Sequence, residues 1–411
     1  MTRHSEKSWS EEVEGAVAAA LESAHPDTFG RLLESIPGLP PESALDGLHQ
    51  LLARDWSRTD VKLLISSAGK PVTHLHDPID DVFLRPHPLD YEWRFNQSTR
   101  LRLAASVQRA AGTGGHVVAL GCPTVAYELL RCDPALHVTL IDANPGLPVL
   151  STSAHYRQLW VDLLEGLPCS VAPADVVIAD PPFYSGHIEA FLDAASGVLR
   201  SGAPLLIPLP VEITRPSARH DVAKALAHGS AAALEWRDVD ISGVTYLRPR
   251  FERLAHEAQG LYGVPDEWRV ANLHVFSRTD RDPMTSTPRD ILETHWVEVV
   301  IGPLRIRVRY NDADVSCAPS VSLLEEILPD DVLDSVSARD PRRDLANVWT
   351  DGNLVWHTGQ PELLVCVLRA LSANEDPDTA AVRFCVARGL PADSNLASAV
   401  TSVVDRIKRI P

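Results

Sequence analysis

Val176-Val177-Ile178-Ala179-Asp180-Pro181-Pro182-Phe183 is the stretch around which the rest of the chain can be ordered. Four apolar residues, three of them β-branched, read as a strand buried on both faces. An aspartate ends that strand, and two prolines prevent it from continuing. On the N-terminal side, His116–Leu120 and His137–Ile141 read as further buried strands, with a helix carrying Ala126–Arg131 between them. On the C-terminal side come a helix, Ile188–Leu199, closed by Ser201-Gly202, and strands at Pro204–Pro208, Ala232–Val239 and Ala271–Ser277. Strands alternating with helices predict an α/β fold around a parallel, Rossmann-like sheet across residues 85–280.

In such a sheet the ends of the strands hold the chemistry. Val117–Leu120 runs into Gly121-Cys122-Pro123-Thr124, a strand, a glycine turn and then a helix. Gly121 permits close backbone approach to a ligand, although an ordinary strand-to-helix turn has the same outline. About twenty residues further on, Asp142 ends the second strand, where a carboxylate can accept from both hydroxyls of an adenosine ribose or can cap the next helix. Asp162, after Leu159-Trp160-Val161, reads either as a contact to the adenine edge or as a loop aspartate. Asp180 and the Pro181 carbonyl form a pair of acceptors that can orient an amino group, and the prolines remove competing donors. Phe183 can stack on a planar base or wall a channel for a lysine side chain. A rigid turn closing the strand is the plain alternative.

Composition narrows the partners. The chain has 411 residues, 38 Lys plus Arg against 55 Asp plus Glu, and a formal net charge of -17. That balance disfavours long nucleic acids, which are bound through basic faces, and favours small or basic targets such as a lysine-rich protein surface. The apolar runs are too short to cross a bilayer, so no membrane role is expected, and Met1–Ser10 lacks the pattern of a signal peptide. Six scattered cysteines (Cys122, Cys132, Cys169, Cys317, Cys366 and Cys385) predict neither zinc nor disulfides, and a reduced, cytoplasmic protein is expected. High Arg and Ala with little Lys suggests a bacterial source. His74 and His76, near Asp77 and Asp80-Asp81, read as a solvated loop, so no metal is expected.

Three segments together resemble a family. Asp180-Pro181-Pro182-Phe183 is similar to motif IV of amino methyltransferases that use S-adenosylmethionine. Gly121-Cys122-Pro123-Thr124-Val125-Ala126-Tyr127 resembles the glycine-poor first motif of the probable N6-adenine methyltransferases, a family that includes elongation-factor lysine methyltransferases. Glu92-Trp93-Arg94-Phe95-Asn96-Gln97-Ser98-Thr99 resembles the aromatic entry segment with which that family covers the cofactor. The resemblance implies a class I methyltransferase domain that binds S-adenosylmethionine through Trp93, Phe95, Gly121, Pro123, Thr124, Asp142 and Asp162. It implies catalysis at Asp180, Pro181, Pro182 and Phe183 on an amino nitrogen, either protein lysine or N6-adenine of DNA or RNA. The glycine-poor turn also leaves open a catalytically lapsed scaffold. Arg94 and Asn96 depart from the aromatic pattern, and the flanks match nothing in the family.

Those flanks are expected to be separate modules. Residues 1–84 read as three or four short helices: Glu11–Ser23, Asp27–Ser35 capped by Asp27, Glu42–Arg54 and Arg58–Ser66. They suit a helical cap or dimerisation piece, or a winged-helix reader. Arg278–Arg289 reads as a linker. Residues 290–411 read as an α+β module: a hairpin around Gly302-Pro303, then mainly helix, notably Glu362–Leu371 and Ser394–Ile407. Either end module could recruit a protein partner. Trp236, Trp268, Trp296, Trp349 and Trp356 are expected in cores. Tyr246 and Arg248 are candidates for the substrate mouth.

Overall fold

The computed structural model describes residues 8–54, 59–167, 171–282, 296–310, 322–390, 392 and 394–410. The chain divides into two units: 1–84 with 93–248 and 260–291, and 85–92 with 249–259 and 292–411.

The first unit begins with α1 (Trp9–Ser23), α2 (Phe29–Ser35), α3 (Pro41–Ala53) and α4 (Thr59–Ala68). Ser8 and Glu11 form a capping box on α1. Thr28, not Asp27, caps α2, accepting from the Arg31 amide at 3.3 Å; the expected cap is one residue early. The apolar faces of these helices bury Val17, Phe29, Leu32, Leu48 and Leu64 against Leu261, Val264 and Trp268. Residues 1–84 therefore share a core with the loop that enters the last strand of the sheet, and they cluster with the sheet.

The sheet unit continues with α5 (Gln97–Ala111), β1 (His116–Leu120), α6 (Pro123–Cys132), β2 (His137–Asp142), β3 (Tyr156–Trp160), β4 (Val176–Ala179), α7 (Ser185–Val198), β5 (Pro204–Pro210), α8 (Ala218–Ala231) and β6 (Leu234–Thr245). After α9 (Arg250–Ala258), which belongs to the second unit, β7 (Val270–Arg278) closes it. The seven strands lie in the order β3-β2-β1-β4-β5-β7-β6, with β7 antiparallel to both its neighbours. This is a Rossmann-like sheet, parallel from β3 to β5 and flanked by helices. One face packs Val117, Ala119, Val138, Leu140, Val176 and Ile178 with residues of α5 and α6. The other packs Val118, Leu120, Val177, Leu205 and Phe276 with residues of α7 and α8. With both faces covered, β1, β2 and β4 are apolar almost throughout. The chain leaves β1 toward β2 and returns on the other side as β4, so the strand ends of β1 and β4 flank the crevice where this topology places ligands.

In the second unit, β8 (Trp296–Ile301) and β9 (Leu304–Arg309) form the expected hairpin, turned by Gly302 at φ +58°. Three short strands, β10 (Glu325–Glu326), β11 (Val348–Thr350) and β12 (Val355–His357), complete a sheet in the order β10-β12-β11-β9-β8. They fall in a stretch read as mainly helix, because two or three residues carry no period to read. Helices α10 (Pro361–Ser372), α11 (Pro377–Ala387) and α12 (Ser394–Arg409) cover that sheet. Residues 85–92 were expected in the sheet domain. Instead Asp90 joins buried Arg305 at 2.9 Å and Arg307 at 2.6 Å within the second unit.

Among the described residues no helix is long and apolar enough to cross a membrane. His74 pairs with Asp266 at 3.2 Å and His76 faces Asp81 at 3.8 Å. Trp236 is 47% exposed on the edge strand β6, against expectation. Cys169, Cys317 and the linker from residue 283 onward lie outside the described residues.

Candidate active site

Asp180 leaves β4 with its amide donating to the Leu120 carbonyl at 3.0 Å, which ties the loop to the end of β1. The acceptors of the loop can then be followed one by one. The Pro182 carbonyl takes the Tyr184 amide at 2.7 Å. The Phe183 carbonyl takes Nη2 of Arg215 at 2.5 Å, and Asp221 holds that guanidinium at 2.9 and 3.1 Å. One carboxylate oxygen of Asp180, Oδ1, accepts from the Tyr246 hydroxyl at 2.7 Å. Oδ2 of Asp180 and the carbonyl of Pro181 have no hydrogen-bond donor among the described residues. The two acceptors that motif IV would offer an amine are the ones the protein leaves unused.

Tyr246 follows β6, where the chain pairs with the entry segment: Phe95 bridges Tyr246, the Asn96 amide donates to Thr245 at 2.9 Å, and the Leu247 amide donates to Arg94 at 2.7 Å. This brings the Phe95 ring to 4.7 Å from the Tyr246 ring, and Phe183 meets Tyr246 edge-on at 6.2 Å. The three rings form an aromatic wall beside Asp180. Asp180 is enclosed by protein yet still partly open. Burial pushes its carboxyl up to about 8, against the Tyr246 hydrogen bond, which lowers it, while the Asp142 charge adds to the rise. The Cys122 thiol is raised well above its usual range by burial and by Asp180 and Asp142, and stays neutral.

On the side expected to hold a nucleoside, Gly121 stands at φ +61° with its amide on the Ile141 carbonyl at 2.9 Å. A β-carbon there would come within 3.0 Å of the Phe191 ring and 3.1 Å of the Asp180 carbonyl. Glycine is therefore required both by the left-handed backbone and by the approach of the β4 loop. Pro123 opens α6 and Thr124 is buried behind it, so the positive end of the helix adjoins the site. Asp142 accepts the Asn144 amide on Oδ1 at 2.8 Å in a turn that leads to β3, not as the cap of a following helix, while its charge still reaches Asp180, Cys122 and Tyr156. Asp162 caps the short turn Leu163–Glu165 through the Leu164 amide at 2.9 Å, the local reading. The Trp93 ring lies under the Arg269 guanidinium, 5.0 Å from its centroid.

The departures from the aromatic pattern also find causes. Arg94 is buried, donating to Asp80 at 3.0 Å and to the Leu84 carbonyl, with its guanidinium over Phe83. Asn96 caps α5 through the Thr99 amide at 2.8 Å and donates to Glu267 at 2.9 Å. Both serve the scaffold. Tyr246 was noted only as a mouth residue and Arg215 not at all. Arg248, the other mouth candidate, is buried against Asp266 at 3.0 Å.

No known family's sequence profile and no curated protein matches the chain. Its structure is similar to those of solved proteins at low identity. A branched-chain polyamine synthase from Thermus thermophilus, in complex with N4-aminopropylspermidine and 5'-methylthioadenosine, is 14% identical, with a TM-score of 0.49 over 67% of this chain and 89% of that one. A C9 mutein of that synthase gives 16%, 0.47, 68% and 91%. The N-methyltransferase NodS from Bradyrhizobium japonicum WM9, in complex with S-adenosyl-L-homocysteine, gives 12%, 0.31, 44% and 87%.

Proposed function

We propose that this chain transfers a methyl group from S-adenosylmethionine to an amino nitrogen, and that the acceptor is a lysine side chain on a protein. The observation that carries the reading is the pair of unclaimed acceptors, Oδ2 of Asp180 and the Pro181 carbonyl, at the switch point of the sheet. The residues present fit the cofactor. Gly121, Thr124 and the first turn of α6 would hold its polar end, Asp142 its ribose, and the anionic site would suit a sulfonium. The cofactor supplies an electrophilic methyl on that sulfonium sulfur. Asp162, Trp93 and Pro123 belong to the proposed cofactor side.

The chain's own groups do the rest. Asp180 as a carboxylate accepts the proton of an arriving ammonium, which the amine must lose before its lone pair is free. The Pro181 carbonyl then orients one remaining N–H bond, and once Asp180 has released that proton to solvent its Oδ2 accepts another. Pro182 keeps the loop stiff, and Phe183, Phe95 and Tyr246 exclude water. A net charge of -17 favours a basic protein target. The same aromatic wall supports a second reading, in which a planar adenine stacks there and its neutral amine needs orientation alone.

The test is calorimetric titration with S-adenosylmethionine and S-adenosylhomocysteine, followed by labelled transfer to lysine-rich proteins and to adenine-containing oligonucleotides. Micromolar binding that Asp142→Ala weakens at least tenfold, with label on protein, is the expected result. Label on the oligonucleotide would move the assignment to adenine, and absence of cofactor binding would leave a scaffold.

A further inference from the structure

Within the site, one hydrogen bond is made by a side chain that no motif assigns. The Tyr246 hydroxyl, 3% exposed as a residue, donates to Oδ1 of Asp180 at 2.7 Å. Its position is determined three times over: by the backbone bridge to Phe95, by the Phe95 ring at 4.7 Å, and by Phe183 against its edge. The bridge is itself anchored, because buried Arg100 donates to the Phe95 carbonyl at 2.7 Å. A hydroxyl held this firmly can donate to a carboxylate and cannot easily turn away.

We propose, building on the reading above, that Tyr246 is a positioning residue that fastens one oxygen of the Asp180 carboxylate as an anion and leaves the other for the acceptor amine. The groups facing Asp180 show why it is needed. From the end of β2, the Asp142 charge opposes ionisation of Asp180. Cys122, after β1, is a neutral thiol, and Phe95 and Phe183 bring no charge. No salt bridge to Asp180 exists among the described residues. The positive charge of Arg269 acts on Tyr246 rather than on Asp180. The phenol stays protonated through the working range, since burial and the neighbouring Asp180 raise it well above its usual value. It therefore remains a donor wherever Asp180 is charged. Without it, Asp180 would hold its proton to higher pH and occupy the site as a neutral acid, able to donate to an amine but unable to accept its proton.

Tyr246→Phe keeps the ring stack and removes only the donor, so it is the variant to make, with Asp180→Asn as its partner. The expected result is an ascending limb of the rate–pH profile moved up by about one unit, roughly tenfold lower kcat near pH 7.5, and recovery above pH 9. Affinity for S-adenosylhomocysteine should stay within about twofold. A purely structural tyrosine would lower the rate equally at every pH, and that outcome would overturn the proposal. A second readout does not need turnover. The gap in denaturation midpoint between wild type and Tyr246→Phe should widen from pH 6 to pH 9 and be independent of pH in the Asp180→Asn background. If the wild type transfers nothing while this gap behaves as stated, the function assignment falls and the Tyr246–Asp180 linkage stands. If the gap does not change with pH, the linkage falls whatever the activity.

Discussion

Asp77 and Asp180 both belong to the sheet unit, one in the clamp beneath α5 and the other at the end of β4, and their surroundings treat them in opposite ways. Asp77 is saturated. Its Oδ1 takes the Ile79 amide at 3.0 Å and Nη2 of Arg100 at 2.8 Å, and its Oδ2 takes Nη1 of Arg100 at 2.8 Å. Burial alone would raise its pKa, but the Arg100 and Ile79 hydrogen bonds and the Arg100 charge more than reverse that and leave it below the usual value. Asp180 has one hydroxyl, no cation and an unused oxygen, so burial prevails and its pKa climbs to about 8. A carboxylate held bidentate by a guanidinium and by a backbone amide has no capacity left for a ligand, whereas a lone enclosed carboxylate must find a partner from outside. The first arrangement holds the entry segment in place; the second is available for chemistry.

Breaking the clamp should have the largest effect. Arg100→Met would strip the guanidinium from buried Asp77, while Glu128, whose Oε1 lies 3.7 Å from Nε, keeps Arg131 on its Oε2 at 3.2 Å. A loss of about 3–5 kcal/mol is expected from urea unfolding at pH 7. Adding Asp77→Asn should return part of it, since a neutral amide no longer needs the guanidinium. For Asp77 the depressed pKa means its stabilisation is present above the unfolded value near 4 and lost as pH falls through the folded one. An Arg100→Met protein as stable as wild type would erase the contrast between the two sites.

Asp180→Asn should act in the other direction. A carboxyl raised to about 8 takes up protons on folding between its unfolded value near 4 and 8, so the wild type loses stability across that window as pH rises. The amide does not titrate. The variant should therefore match the wild type near pH 4 and be more stable by roughly 2–4 kcal/mol at pH 8, while the proposed methyl transfer falls by about a hundredfold. Gain in stability with loss of turnover is what distinguishes a strained functional group from a structural one. Equal stability at pH 4 and pH 8 would show that Asp180 is not held away from ionisation.

The sequence discloses these two aspartates unequally, and the reason is range. The strands β1, β2, β4 and β5 are legible because apolar runs and the breakers that end them are local signals; Asp180 stands out because Pro181 and Pro182 follow it directly. The partners that decide its chemistry are distant. Tyr246 arrives from a position 66 residues away and Arg215 makes a contact across 32. No spacing rule links them: Tyr246 reaches Asp180 where the chain after β6 pairs with the entry segment, and Arg215 reaches Phe183 from the segment between β5 and α8. The same limit explains why 85–92 and α9 cluster with the second unit, through ion pairs such as Arg250 with Asp351 at 3.4 Å. It also explains why Asp142 and Asp162 resemble ligand residues in a linear reading yet each accept a local amide. Short aspartates at strand ends meet the next turn's N–H whether or not a ligand binds nearby.

Arg215 lies between the two extremes and gives the finest test of the comparison. Like Arg100 it is ion-paired, here to Asp221 at 2.9 Å, but the same Nη2 also donates to the Phe183 carbonyl of the site loop. Arg215→Ala should cost about 1–2 kcal/mol, because Asp221 keeps the Ser217 hydroxyl at 2.7 Å and loses only part of its company. Its effect on turnover should be modest, roughly three- to tenfold, and should fall on the acceptor's KM more than on cofactor affinity, as the Phe183 wall loosens while the Gly121 side is untouched. Arg215→Lys can replace the charge on Asp221 but not the fork that spans Asp221 and Phe183 together, so it should restore stability more fully than KM. If lysine restored both equally, Arg215 would be a counter-ion alone, and the loop would owe its shape to Pro181 and Pro182.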